Sequence, residues 1–119
     1  MKRSEQNDLA RLIHIRDAAQ KAQRAVEGKT RESLEDDEVL VLALIATLAI
    51  MGEAASNLTE SFRETHPQIP WALMIGTRHR VVHAYYEVDL DIIWDTVTKN
   101  LPSLLHRLDD LLPTDDESA

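Results

Sequence analysis

Apolar residues recur at helical spacing along the chain, in segments separated by polar or turn-forming residues. Leu9, Leu12 and Ile13, followed by Ala19, Ala22 and Val26, predict a first helix from about Glu5 to Glu27, with Gly28 as its C-terminal stop. Its alanines suit either close approach to a neighbouring helix or an exposed helix-promoting face. After the polar connection Lys29 to Ser33, the acidic cluster Glu35, Asp36, Asp37 and Glu38 stands where a helix N-terminus favours negative charge. A second helix is predicted from there to about Asn57 or Leu58. Its centre, Val39 to Met51, is apolar on every side and requires cover all round, from its own domain or from a second protomer. Those 13 residues fall short of the roughly 20 that a bilayer requires, so the run reads as a buried helix.

Thr59 or Ser61 is placed to cap a short helix through Arg63, and His-Pro-Gln-Ile-Pro at 66–70 then breaks the chain. Pro70 suits the first turn of a helix starting near Trp71, carrying Ile75, Arg78 and Val82 and fraying by Tyr85 or Tyr86. Asp89 is the expected N-cap of the last helix. There Leu90, Ile93, Trp94, Val97, Leu101, Leu104, Leu105, Leu108 and Leu112 form one apolar stripe, with a kink expected at Pro102. The acidic stretch 113–119 is expected to be a disordered tail. The fold expectation is an all-α, up-and-down bundle of four to five helices, one domain over residues 1–112.

Composition narrows the partners. Three glycines and four prolines in 119 residues favour long helices over turn-rich sheet. Without cysteine neither a disulfide framework nor a thiolate metal site is possible, and the polar opening MKRSEQNDLA does not read as a secretion signal. A cytoplasmic protein is expected. The net charge of −8 argues against indiscriminate coating of nucleic acid. Yet the 22 residues between Glu64 and Glu87 hold no acid and include Arg78, Arg80, His66, His79 and His83. One neighbourhood is positive on a negative body.

Within it, Arg78, His79, Arg80, His83 and Tyr85 supply permanent cations, groups that titrate near neutrality and a phenol. Cutting RNA through its own 2′-hydroxyl requires a base for that proton, an acid for the 5′-oxygen, and positive charge on the phosphoryl oxygens. Histidine serves as acid or base; arginine grips two phosphate oxygens and keeps its proton. On a straight helix, however, Arg78 and His83 point about 140° apart. Either the helix loosens near His83, or two copies of this helix meet so that both protomers supply one site. The second reading makes dimerisation about the motif helix a condition of activity.

The pattern Arg78, four residues, His83, one residue, Tyr85 resembles the motif of HepT-like toxins in the HEPN superfamily. The likeness extends over MGEAASNL at 51–58, HPQIPWALMIGTRHRVVHAYYEVDLDIIWDTV at 66–97 and LPSLLHRLDDLL at 101–112. The resemblance implies a helical homodimer, a metal-independent endoribonuclease needing no cofactor, and a toxin opposed by an MntA-like nucleotidyltransferase antitoxin. It implies catalysis by Arg78 and His83, a 2′,3′-cyclic phosphate product, and AMP transfer onto Tyr85. His79 stands where many relatives have Asn, and Tyr86 where relatives often have Phe.

Other residues receive plainer expectations. His79 and His83 share a helix face, but no carboxylate lies in the motif to complete a metal site, so no metal is expected. His79 and Arg80 are expected to support the site or contact RNA. Glu53 is either exposed or paired with Arg78 or Arg80; Trp71 and Trp94 are expected in the core, and His14, His66 and His106 as structural residues. The rival function is a non-catalytic helical module that binds a nucleotidyltransferase.

Overall fold

The computed structural model describes residues 3–72, 74–76 and 89–112. Among them every regular element is helical. Helix α1 (Arg3–Ala25) packs chiefly against α3 (Glu38–Ser56), burying Leu12, Ile15, Ala18, Ala19 and Ala22. The alanines thus serve close approach, and Ile15 and Ala18 join Leu12, Ala19 and Ala22 of the predicted pattern in the buried face. The chain leaves α1 through a turn at Gly28, whose φ of 72° is the left-handed conformation glycine adopts without penalty.

The acidic cluster divides where a single helix start was expected. Ser33–Asp36 forms a short helix, α2, with Leu34 buried, and Asp37 then turns extended. Its carboxylate accepts from the N–H of Leu40 at 3.0 Å, capping α3. An extended residue with a short acceptor satisfies an otherwise orphaned donor, so the break falls at Asp37 rather than before Glu35.

Helix α3 buries Leu40, Leu44, Leu48, Met51 and Ala55. It is not covered all round: Val39 is 75% exposed, Leu42 47% and Ile50 52%. By length and composition alone its 19 residues would qualify as a membrane span, yet one face is built into the bundle core. The helix ends at Asn57, and Thr59 then caps α4 (Glu60–Thr65) by accepting from the N–H of Phe62 at 3.1 Å. Helix α4 outlasts the expected end at Arg63 by two residues.

Asp89 caps α5 (Leu90–Asp95) by accepting from the N–H groups of Asp91 and Ile92. Just ahead of Pro102, where a kink rather than an end was expected, residues Thr96–Asn100 form a π-helical turn, and the chain continues as α6 (Leu101–Asp109). Pro102 has no N–H for the carbonyl of Thr98 and its ring crowds that oxygen. Widening the turn, with Leu101 N–H reaching Thr96 O, relieves the conflict while Val97, Leu101, Leu104 and Leu108 stay buried. This last stretch lies along α1.

Asp8, only 3% exposed, ties α1 to α4: its carboxylate accepts from the N–H of Thr59 at 2.8 Å and from the Thr59 hydroxyl at 2.6 Å. Hydrogen bonds to a charged, buried acceptor are the stronger kind. Asp8→Ala should therefore cost about 2 kcal/mol in urea denaturation, and Asp8→Asn less, because the amide oxygen still accepts. Equal stability of both variants and the parent would deny the tie its role.

Candidate functional site

The residues expected to carry chemistry, Arg78, His79, Arg80, His83 and Tyr85, lie outside the described residues. What the structure describes is the frame on either side of them. Ahead of the motif, Pro70 begins a helical turn, with Met74 N–H reaching Pro70 O at 3.1 Å, as its missing N–H predicts. Trp71 is buried and its indole N–H donates to the His66 carbonyl at 3.0 Å. Phe62 packs between the two rings, 4.5 Å from His66 and 6.0 Å from Trp71 between centroids. Arg107 of α6 reaches back to the same loop, Nη1 donating to Gln68 O at 2.7 Å.

Beyond the motif, Arg31 from the α1–α2 connection donates through Nε to the Asp91 carboxylate at 2.6 Å, beside the Asp89 cap. That hydrogen bond, helped by the charges of Asp91 and Glu35, raises the Arg31 pKa above its ordinary value despite partial burial. The flanks of residues 77–88 are in this way fastened to the bundle from two directions, by Arg107 and by Arg31.

An open groove of about 980 Å3 runs along the leading flank, lined by Arg63, Pro67, Trp71 and Gly76 among others. Trp71 is a core residue, as expected; Trp94 is half-buried against the core. His66 packs its ring against Phe62. His14 and His106 are exposed.

Glu53 is exposed on the last turn of α3, where its carboxylate accepts from the Asn57 side-chain amide at 3.2 Å. Its expected partners, Arg78 and Arg80, lie outside the described residues. The structure places Glu53 in a second open groove with Arg11 and His14. Sequence spacing puts those two on one side of α1, one turn apart, but nothing in the sequence says that this side faces the end of α3. Among the described residues no cluster of three His, Asp or Glu is arranged to hold a metal ion.

A family profile described as Ribonuclease HepT-like matches residues 15–111. The chain belongs to the HepT-like ribonuclease family. It is 36% identical over 118 residues to a protein of Thermococcus cleftensis named as a probable ribonuclease HepT, covering 93% of this chain and 98% of the relative. It is also 36% identical over 101 residues to a protein of Caldanaerobacter subterraneus subsp. tengcongensis, provisionally named as an RNase, covering 85% and 90%. A Methanocaldococcus jannaschii protein, likewise provisionally named as an RNase, is 34% identical over 70 residues, covering 59% and 58%. No solved structure matches significantly. The matched span of the HepT-like profile includes the Arg78-x4-His83-x-Tyr85 motif and both of its fastened flanks.

Proposed function

We propose that this protein is a metal-independent endoribonuclease, the cytoplasmic toxin of a toxin–antitoxin pair. The observation that carries the reading is membership of the HepT-like ribonuclease family across a span that contains Arg78, His83 and Tyr85. A histidine base takes the 2′-hydroxyl proton, O2′ attacks phosphorus, the bond from phosphorus to O5′ breaks, and O5′ receives a proton from a histidine acid. A 2′,3′-cyclic phosphate and a 5′-hydroxyl result. Arg78 neutralises the charge that builds on the non-bridging oxygens. No cofactor enters this scheme.

Base and acid act on opposite sides of the phosphorus, which favours two copies of His83 and hence a homodimer built about the motif helix. The uncovered apolar side of α3 at Val39 and Leu42 supports a second protomer as its cover. The folded unit is residues 1–112, with 113–119 as an acidic tail.

Inhibition follows from the same site. An MntA-like nucleotidyltransferase joins the Tyr85 oxygen to the α-phosphorus of ATP and releases pyrophosphate. The AMP so added brings bulk and negative charge next to the cations that hold RNA.

Purified, partner-free protein is expected to cut RNA in EDTA, and Arg78→Ala or His83→Ala to slow it at least about a hundredfold on an RNA gel. Full activity in both variants removes the catalytic assignment, and absence of cleavage by the parent favours the non-catalytic binding module. Leu42→Glu is expected to shift the light-scattering mass from two chains to one and to lower cleavage with it. A dimeric variant would locate the interface elsewhere. Mass spectrometry after co-expression with the nucleotidyltransferase should find one added AMP on the Tyr85 peptide, and its presence on Tyr86 instead would move the modification by one residue.

A further inference from the structure

Arg11 and His14 lie one turn apart on α1 and face the last turns of α3 across an open groove of about 480 Å3. Helix α3 contributes Ala49 and Ile50 as apolar lining, with Glu53 and Asn57 beside them. Arg11 is held in place there: its Nε donates to the Asn57 carbonyl at 3.1 Å. Among the described residues, no hydrogen bond or ion pair uses its terminal guanidinium nitrogens, and the exposed His14 ring has no hydrogen-bond partner.

We propose that this groove binds a single-stranded RNA backbone, Arg11 pairing with a phosphate and His14 contacting the adjoining nucleotide. The inference rests on the ribonuclease reading above and extends it from the scissile bond to the strand beside it. A body of net charge −8 holds a polyanion only where cations are presented locally, and a guanidinium anchored through Nε leaves its forked end for phosphate. Arginine and histidine both offer flat faces on which unpaired bases stack, and Ile50 extends the apolar surface beside them. The groove is open, so a chain passes along it where a small molecule would be weakly enclosed. Glu53 and Asn57, joined by the bond from the Asn57 amide to the Glu53 carboxylate, form the far edge of the groove, so the phosphate contact falls to Arg11 on the α1 side. A protein partner is the competing occupant, but it would have to cover a carboxylate, a guanidinium and an imidazole within one shallow site, with a desolvation cost for each.

The probe is a short, fluorescently labelled 2′-O-methyl RNA, which lacks the nucleophile for its own cleavage, titrated by anisotropy over a salt series. The double variant Arg11→Ala with His14→Ala is expected to bind about tenfold more weakly and to lose about one phosphate contact from the slope of log affinity against log salt. Arg11→Lys should keep the slope, because the charge remains. Because Arg11 also bonds to Asn57, His14→Ala alone, which removes no hydrogen bond within the protein, should still weaken binding severalfold while melting like the parent by circular dichroism. Unchanged affinity and slope in the double variant, with RNA still cleaved, overturns the groove assignment and leaves the ribonuclease reading standing. Failure of the parent both to bind and to cleave RNA overturns both. Loss of nucleotidyltransferase binding with RNA affinity intact gives the surface to a protein and overturns the RNA assignment.

Discussion

The packing of α1 on α3 is the constraint from which the remaining geometry follows. Ala18, Ala19 and Ala22 bury no long side chains, so the two backbones approach closely over a face that also holds Leu12 and Ile15. The last helical stretch also lies along α1, and Asp8 of α1 meets the start of α4. The contact of α1 with α3 opens a groove between the two helices near Asn57, where Arg11 and Glu53 meet a common solvent space. A larger residue at Ala19 or Ala22 would push the helices apart, and overpacking of this kind is not absorbed by a dense interior.

Around this pair the chain fastens both flanks of its motif segment to elements distant in sequence. Arg107 spans 39 positions to the Gln68 carbonyl, and Arg31 spans 60 to Asp91. Exposed ion pairs contribute little stability, and the Asp91 carboxylate is largely exposed. The significance of Arg31 is therefore positional: its raised pKa reflects a hydrogen bond that orients the first turn of α5. The π turn at Thr96–Asn100 serves the same continuity, since it lets the apolar stripe cross Pro102 without leaving the core.

Much of this is legible in the amino-acid sequence itself. Gly28, Thr59, Pro70 and Asp89 each act through one or two neighbouring backbone groups, so local stereochemistry placed the helix boundaries close to where they stand. The motif Arg78-x4-His83-x-Tyr85 was legible for another reason: a chemical pattern at fixed spacing, embedded in longer matching stretches, identifies a family without knowledge of side-chain positions. Glu53 stands out in the sequence as a charge following an apolar run, whereas no local signal gives Arg11 or His14 a place beside it or distinguishes them from an ordinary solvated helix face.

The amino-acid order alone determined the helical class, the major breaks and the family, because those depend on periodicity, caps and residue types within a few positions of one another. Tertiary structure decided three matters the order left open. Asp37, not Glu35, starts α3, since the interruption lets Leu34 turn inward and still caps the helix. The alanines of α1 are an interior contact and not an exposed face, because α3 lies against them. Val39, Leu42 and Ile50 leave one side of α3 exposed within the single chain, and the groove beside it joins a cation, an imidazole and a carboxylate. Each of these depends on which faces of separate helices meet, a long-range choice that no short window of sequence contains.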